Sequence, residues 1–274
     1  MVVFLLGIFL AQGPGNLILI GGGKRPAEAM QTFINCAGGP DAAIIIIPTA
    51  SELPDTGMIY KRQFMTDYNC KNVKILNLAT PDQAQNESKL QVLDKAGGIF
   101  FTGGDQRRII HVFKDSIALQ KLRAHFDRGG AIGGTSAGTA CMSRLMLTGD
   151  GDFSRLRAGT TVLWPGLDFL GEVIVDQHFI ARQRQNRLLS CILEYPQYLG
   201  LGVDEETAIW VKPNQTFEVL GDGWVQVYDA GKASLRRRDS GEHEHLSGTG
   251  LTLHVLQAGD HFDLKTRTVT GGGQ

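Results

Sequence analysis

The chain has 274 residues, 42% of them hydrophobic and 20% charged, with a formal net charge of −1 at pH 7. That is enough chain for one large domain or two small ones with a real core, and its near-neutral balance argues against a protein that holds nucleic acid through bulk electrostatics. Four scattered cysteines, Cys36, Cys70, Cys141 and Cys191, lack CxxC spacing and read as buried thiols rather than a disulfide framework or metal site.

Residues 1–15 open with MVVFLLGIFL, an apolar run too short to span a bilayer and without the positive start of a secretory signal. The expected location is the cytoplasm, with export by an atypical or clipped signal as the alternative and no stable membrane insertion. From residue 16 the chain alternates strand-like and helix-like segments. Asn16–Ile20 (NLILI) runs into Gly21–Gly23, and helical spacing follows from Arg25 to Ala37. Ala43–Ile47 (AIIII) is continuous and β-branched, the pattern of a strand buried on both faces of a parallel sheet. Val73–Leu78 and Gly98–Phe101 are further strands, and helices are expected from Arg107 and over Ile117–Arg128. Ala131–Gly133 leads into a serine, with a helix predicted over Thr139–Leu147, a strand at Val173–Val175, a helix over Arg182–Leu193 and a strand at Leu199–Val203.

This alternation predicts an α/β fold with crossover helices on both faces of a mostly parallel sheet. From about Ala208 the texture changes to short strands (AIWVK, TFEVLG, WVQVYD, LTLHVL) separated by Gly, Asn and Asp turns. These read as antiparallel strands extending or capping the sheet, so residues 16–274 are expected to form one domain. The RRRDSGEHEH stretch, residues 236–245, reads as a solvated loop.

Chemistry concentrates at strand ends, where open parallel sheets gather ligands. Gly134-Thr135-Ser136-Ala137-Gly138 fits the G-x-S-x-G turn that presents a nucleophilic serine; the same letters also describe an ordinary glycine-rich turn. A serine hydroxyl needs a base. Of seven histidines, His111 and His125 fall on helices, and His243, His245, His254 and His261 lie in the late β-rich region. His178 follows the apolar strand in VIVDQHF and so shares the strand-end position of Ser136. A carboxylate should orient the imidazole, and Asp152 or Asp150 in TGDGD are the candidates, with Asp176 also adjacent. Backbone N–H groups of Ala137 and of the Gly103-Gly104 turn are the expected oxyanion donors. Arg182, Arg184 and Arg187 suit carboxylate recognition and imply an acidic substrate; a solvated helix face would carry the same run.

The combination FFTGGDQ, GGTSAG, DQHF followed by RxRxxRL, and LGVDEETA resembles the cyanophycinases of the S51 serine peptidase family. The tail LHVLQAGDHFDLKTR is similar to the family's C-terminal strands, so the resemblance runs from about Gly15 to Arg267. It implies a three-layer sandwich, flavodoxin-like or class I glutamine amidotransferase-like, and a Ser-His-acid exopeptidase. The implied substrate is cyanophycin, poly-aspartate with arginine on each side-chain carboxylate, released as β-Asp-Arg dipeptides. On this basis Ser136 is the nucleophile and His178 the base, while Gln106, Asp176, Gln177, Arg182, Arg184 and Arg187 match the family's substrate pocket. No cofactor or metal is implied, and a homodimer is. The family's acid is a glutamate expected near Ser154, where this chain has no carboxylate, so Asp152 is the expected substitute. An aspartyl dipeptidase and a non-catalytic binding protein on the same fold are the alternatives.

Overall fold

The computed structural model describes residues 15–239, 241 and 244–271. The apolar segment, all but Gly15, lies outside them, as does part of the 236–245 stretch. In chain order the elements are β1 (Asn16–Ile20), α1 (Ala27–Cys36), β2 (Ala43–Ile47), α2 (Thr56–Asp67), β3 (Asn72–Ile75), α3 (Pro81–Ala84), α4 (Glu87–Leu90), β4 (Gly98–Phe101), α5 (Gln106–Phe113), α6 (Ile117–Asp127), β5 (Ala131–Thr135), α7 (Ala137–Ala140) and β6 (Leu145–Gly151). There follow β7 (Thr161–Pro165), β8 (Val173–Gln177), α8 (Gln185–Glu194), β9 (Leu199–Val203), β10 (Thr207–Val211), β11 (Thr216–Gly221), β12 (Val225–Asp229), β13 (Ser234–Asp239), β14 (Glu244–Thr249), β15 (Thr252–Leu256), β16 (His261–Asp263) and β17 (Thr268–Gly271).

The central sheet has nine strands in the order β17-β16-β11-β10-β1-β5-β4-β2-β3. Its half from β1 to β3 is parallel, and β10, β11, β16 and β17 continue it antiparallel. Successive side chains on a strand point to opposite faces, so a doubly covered strand must be apolar at every position. Ile18, Ile20, Ile44 and Ile46 pack with Met30 and Phe33 of α1 and Phe64 of α2. Leu17, Leu19, Ile45 and Ile47 face the other way, toward Ile109 and Phe113 of α5 and Leu122 of α6. Fully burying one such side chain contributes about 1.5–3 kcal/mol.

A second, four-stranded sheet, β15-β12-β9-β8, shares the α5 side of the core through Val173, Val175, Leu201 and Val203. Its far face is covered by Leu188 and Ile192 of α8 with Phe179. Sequence alternation places β8 in the same sheet as β5; the structure puts it in this second sheet, paired with β9. The helix predicted over Thr139–Leu147 stops at Ala140, because Leu145–Leu147 pair with Leu163–Pro165 in a two-stranded ribbon. In the RRRDSGEHEH stretch, Arg236–Asp239 and Glu244–His245 belong to paired strands β13 and β14 rather than a loop.

Candidate active site

Ser136 stands between the last residue of β5 and the first of α7, with φ 53° and ψ −112°. Such a backbone costs a non-glycine residue about 1–3 kcal/mol and persists only where the surroundings enforce it. They do so here by hydrogen bonds: Ser136 N–H donates to the Ile20 carbonyl (3.0 Å), and Thr139 Oγ1 donates to Ile20 (2.7 Å) and Gly134 (2.9 Å) carbonyls. The bend also brings backbones together. A Cβ on Gly134 would lie 2.2 Å from the Gly138 oxygen, so the first glycine of the motif is sterically required. Because α7 is a single turn, its contribution is free N–H groups rather than a long dipole.

His178 follows β8, and its N–H donates to the Gly21 carbonyl (2.9 Å), which ties the second sheet to the end of β1. Its Nε2 lies 2.8 Å from Ser136 Oγ, and its Nδ1 lies 2.5 Å from Glu205 Oε1. With Glu205 ionised, this network assigns the proton to Nδ1 and leaves Nε2 to accept from the serine. His178 is 7% exposed, and burial holds its pKa below the ordinary 6.5. The Glu205 hydrogen bond and charge oppose that depression, while Arg182 and Arg184 deepen it. Gly22 packs flat on the imidazole: a Cβ there would sit 2.2 Å from Cε1, at a φ of +132°.

Glu205 is the residue that sequence reasoning missed. Asp152 is not beside His178; its Oδ1 accepts from Ser154 N–H (2.9 Å) and Ser154 Oγ (2.6 Å), and these bonds lower its pKa at an exposed position. Asp150 is spent on Arg107, 2.9 Å away. Asp176 faces away from the ring, into a buried ion pair with Arg187. The carboxylate arrives instead from the end of β9, which pairs in parallel with β8 so that Gln177 is opposite Val203. The first of the two glutamates in LGVDEETA was the available signal. Its neighbour Asp204 fixes the geometry, its Oδ1 accepting from the N–H groups of Ile180 (3.1 Å) and Ala181 (3.0 Å) just after His178.

The Gly103-Gly104 turn lies against the serine, a Cβ on Gly103 being 3.5 Å from Ser136 Cβ. Among the described residues, the N–H groups of Ala137, Gly103 and Gly104 meet no backbone acceptor.

The expected pocket residues divide into two groups. Arg187, 4% exposed, donates from Nε to Asp176 Oδ2 (2.6 Å) and also from Nη2 to Oδ1 of the same residue, itself 1% exposed. Arg184 donates to the Gln177 carbonyl (2.5 Å) and side-chain oxygen, and burial followed by the Arg187 charge brings its pKa down to about 10. Gln106 donates from its amide to the carbonyls of Leu147 (2.7 Å) and Thr148 (2.9 Å), holding β6 beside the site. Asp176, Gln177, Arg184 and Arg187 are bound to one another, Gln106 is bound to β6, and Arg182 alone of the three arginines is exposed. One carboxylate, Asp176, for buried Arg187 and half-buried Arg184 leaves the cluster net cationic.

No group of three or more His, Cys, Asp or Glu that could hold a metal ion occurs among the described residues, and no helix among them is long and apolar enough to cross a membrane.

The sequence model of peptidase family S51 matches residues 17–219. A cyanophycinase of Geminocystis herdmanii is 34% identical over 263 residues, covering 94% of this chain and 96% of the relative. A cyanophycinase of Trichormus variabilis is 35% identical over 260 residues, covering 92% and 87%. Among solved structures, a peptidase from an acI-B1 actinobacterium superposes with a TM-score of 0.69 at 21% identity over 93% of this chain and 98% of its own. A putative peptidase E from Listeria monocytogenes gives 0.55 at 18% identity over 76% and 98%. At those identities the two structures speak for the fold, a flavodoxin-like α/β arrangement.

Proposed function

The chain belongs to peptidase family S51, whose members are serine-type peptidases, and on that premise we propose that it hydrolyses cyanophycin to β-Asp-Arg dipeptides through Ser136, His178 and Glu205. The observation that carries this reading is the unbroken relay from Ser136 Oγ to His178 Nε2 (2.8 Å) and from Nδ1 to Glu205 (2.5 Å). Neutral His178 takes the proton as Ser136 attacks the backbone carbonyl. Negative charge developing on the carbonyl oxygen meets the N–H groups of Ala137 and Gly104, fixed before the reaction begins. Glu205 holds the ring in the accepting tautomer and stabilises the imidazolium. Protonation of the leaving amine by His178 gives an acyl-enzyme, and the same imidazole then draws a proton from the water that hydrolyses it.

The substrate assignment is supported by the relatives named cyanophycinase and by the cationic cluster. Arg182, exposed beside the catalytic histidine, suits a free carboxylate. The test is release of β-Asp-Arg from purified cyanophycin by the wild-type chain and by Ser136→Ala. Turnover by the wild type alone is expected. Turnover of α-aspartyl dipeptides with none of the polymer would move the assignment to an aspartyl dipeptidase, and turnover of neither would leave a binding protein on this fold.

A further inference from the structure

A cleft that is not lined by Ser136, His178 or Glu205 runs beside α5. It has a volume of about 740 Å³, with Arg107, Arg108, His111 and Lys114 on one wall and Trp164 of β7 on the other. That volume falls in the range of ligand clefts, and none of the mechanism above uses it. Its chemistry is uneven in an informative way. The lining carries three permanent cations and no carboxylate. Arg107 and Arg108 are held from outside by Asp105, Asp150 and Glu52, which orients them. Lys114 is exposed at the end of α5 and makes no ion pair among the described residues. Opposite, the Trp164 side chain remains 40% exposed, a large apolar face left open to solvent beside cations.

Fixed cations facing an open indole recognise a chain bearing carboxylates and guanidinium groups together, the former by ion pairing and the latter by stacking on the ring. The helix that lines the cleft also starts directly after the Gly103-Gly104 turn. Gly104, Asp105, Gln106 and Arg107 are consecutive, so α5 begins at the oxyanion donor and carries its cations away from it. From Gln106 to Lys114 the helix advances about 12 Å at ~1.5 Å per residue. An extended polypeptide covers that distance in about four residues at ~3.4 Å each.

We propose that the α5–Trp164 cleft is a second binding site for the polymer, holding acidic, arginine-bearing chain several residues from the scissile bond. It rests on the cyanophycin reading above, and it adds a role for residues that touch no reacting atom. An enzyme that removes two-residue units from the end of a long chain gains residence on that chain from such a site, by raising the local concentration of the next end.

Two measurements on Lys114→Glu and Trp164→Ala test it. In steady-state kinetics, both variants should raise KM for the polymer at least fivefold with kcat within twofold, while KM for the shortest oligomer the enzyme cleaves stays within twofold. Equal losses on polymer and oligomer, or no loss on either, would overturn the proposal. The second measurement needs no turnover: co-sedimentation of Ser136→Ala with insoluble cyanophycin, against Ser136→Ala combined with Lys114→Glu. At least fivefold weaker pelleting of the double variant supports the cleft, and equal pelleting, or none by either, refutes it. Polymer hydrolysis by the wild type decides the catalytic reading separately, so failure of one is not mistaken for failure of the other. Lys114 is exposed and Trp164 partly so, and the wild-type melting temperature in Lys114→Glu is the control for folding.

Discussion

Replacing Glu205 with glutamine keeps the shape of the side chain and removes its charge from a point 2.5 Å from His178 Nδ1. When the imidazole becomes positive in the transition state, its charge centre lies about 4 Å from that of the carboxylate. At an effective dielectric of ~20 this is worth about 4 kcal/mol. The Glu205 side chain is 38% exposed, so solvent screening brings the usable part to roughly half or three-quarters of that. At ~1.4 kcal/mol per decade, the expected fall in kcat is about 30- to 150-fold. The glutamine amide can also present its N–H₂ to Nδ1 and favour the wrong tautomer, which pushes the loss toward the upper end. Initial rates of β-Asp-Arg release under saturating polymer measure it, with Asp152→Asn as the companion variant. Asp152 lies on an exposed loop bonded to Ser154, and its variant should keep kcat within about threefold, as surface changes usually do. A Glu205→Gln enzyme within tenfold of wild type, or a hundredfold loss in Asp152→Asn, would refute the assignment of the acid.

Other expectations concern strain, burial and pH. Ser136→Gly should relieve the φ 53° backbone, so this inactive variant should melt about 2–3 °C above Ser136→Ala despite glycine's usual entropic penalty; a lower melting point than the alanine variant would contradict the strain argument. Asp176→Asn leaves the guanidinium of Arg187, 4% exposed, without its counter-charge, so it should lose about 3–5 kcal/mol in urea unfolding even though Asp176 touches neither Ser136 nor His178. Burial sets the His178 pKa below 6.5, so its neutral, base-competent form persists into mildly acidic solution and the acid limb of kcat/KM should fall below that value. In stability the sign is the same: the folded state disfavours protonation of this ring, so its contribution is present above pH 6.5 and lost as pH falls through the lowered value. Arg182→Gln removes a charge that depresses the ring, so the limb should move up toward 6.5; a downward movement in a pH–rate profile would show that Arg182 does not face His178.

Much of the fold was legible because its signals are local. AIIII is continuous and β-branched, the pattern of a doubly buried strand, and the chain places it there as β2, with Ile44 and Ile46 on one face and Ile45 and Ile47 on the other. The turn around Ser136 was legible for the same reason: a backbone bent to φ 53° with Gly138 pressed against Gly134 writes small residues into consecutive positions. The Leu145–Leu147 segment was not, since an apolar run of that length fits a helix or a strand equally, and its pairing with β7 decided the matter. The arginine run was half legible. Its charge was evident, but that Asp176 consumes Arg187 and Gln177 holds Arg184 depends on how α8 lies against β8.

The sequence by itself determined the serine, a histidine at a strand end, the doubly buried parallel strands, and the family motifs in their order. Only the tertiary structure brought Glu205, and not Asp152, beside His178. Ser136 ends a strand of the nine-stranded sheet, while His178 and Glu205 end neighbouring strands of the four-stranded one. Three contacts made the site: Gly21 accepting from His178, Ile20 accepting from Ser136, and the register that puts Gln177 opposite Val203. The parallel register carries Glu205, twenty-seven positions beyond His178, to within a hydrogen bond of its ring. No spacing along the chain expresses that, because strand register is set by which side chains fill the space between two sheets, and that space exists only once both have folded.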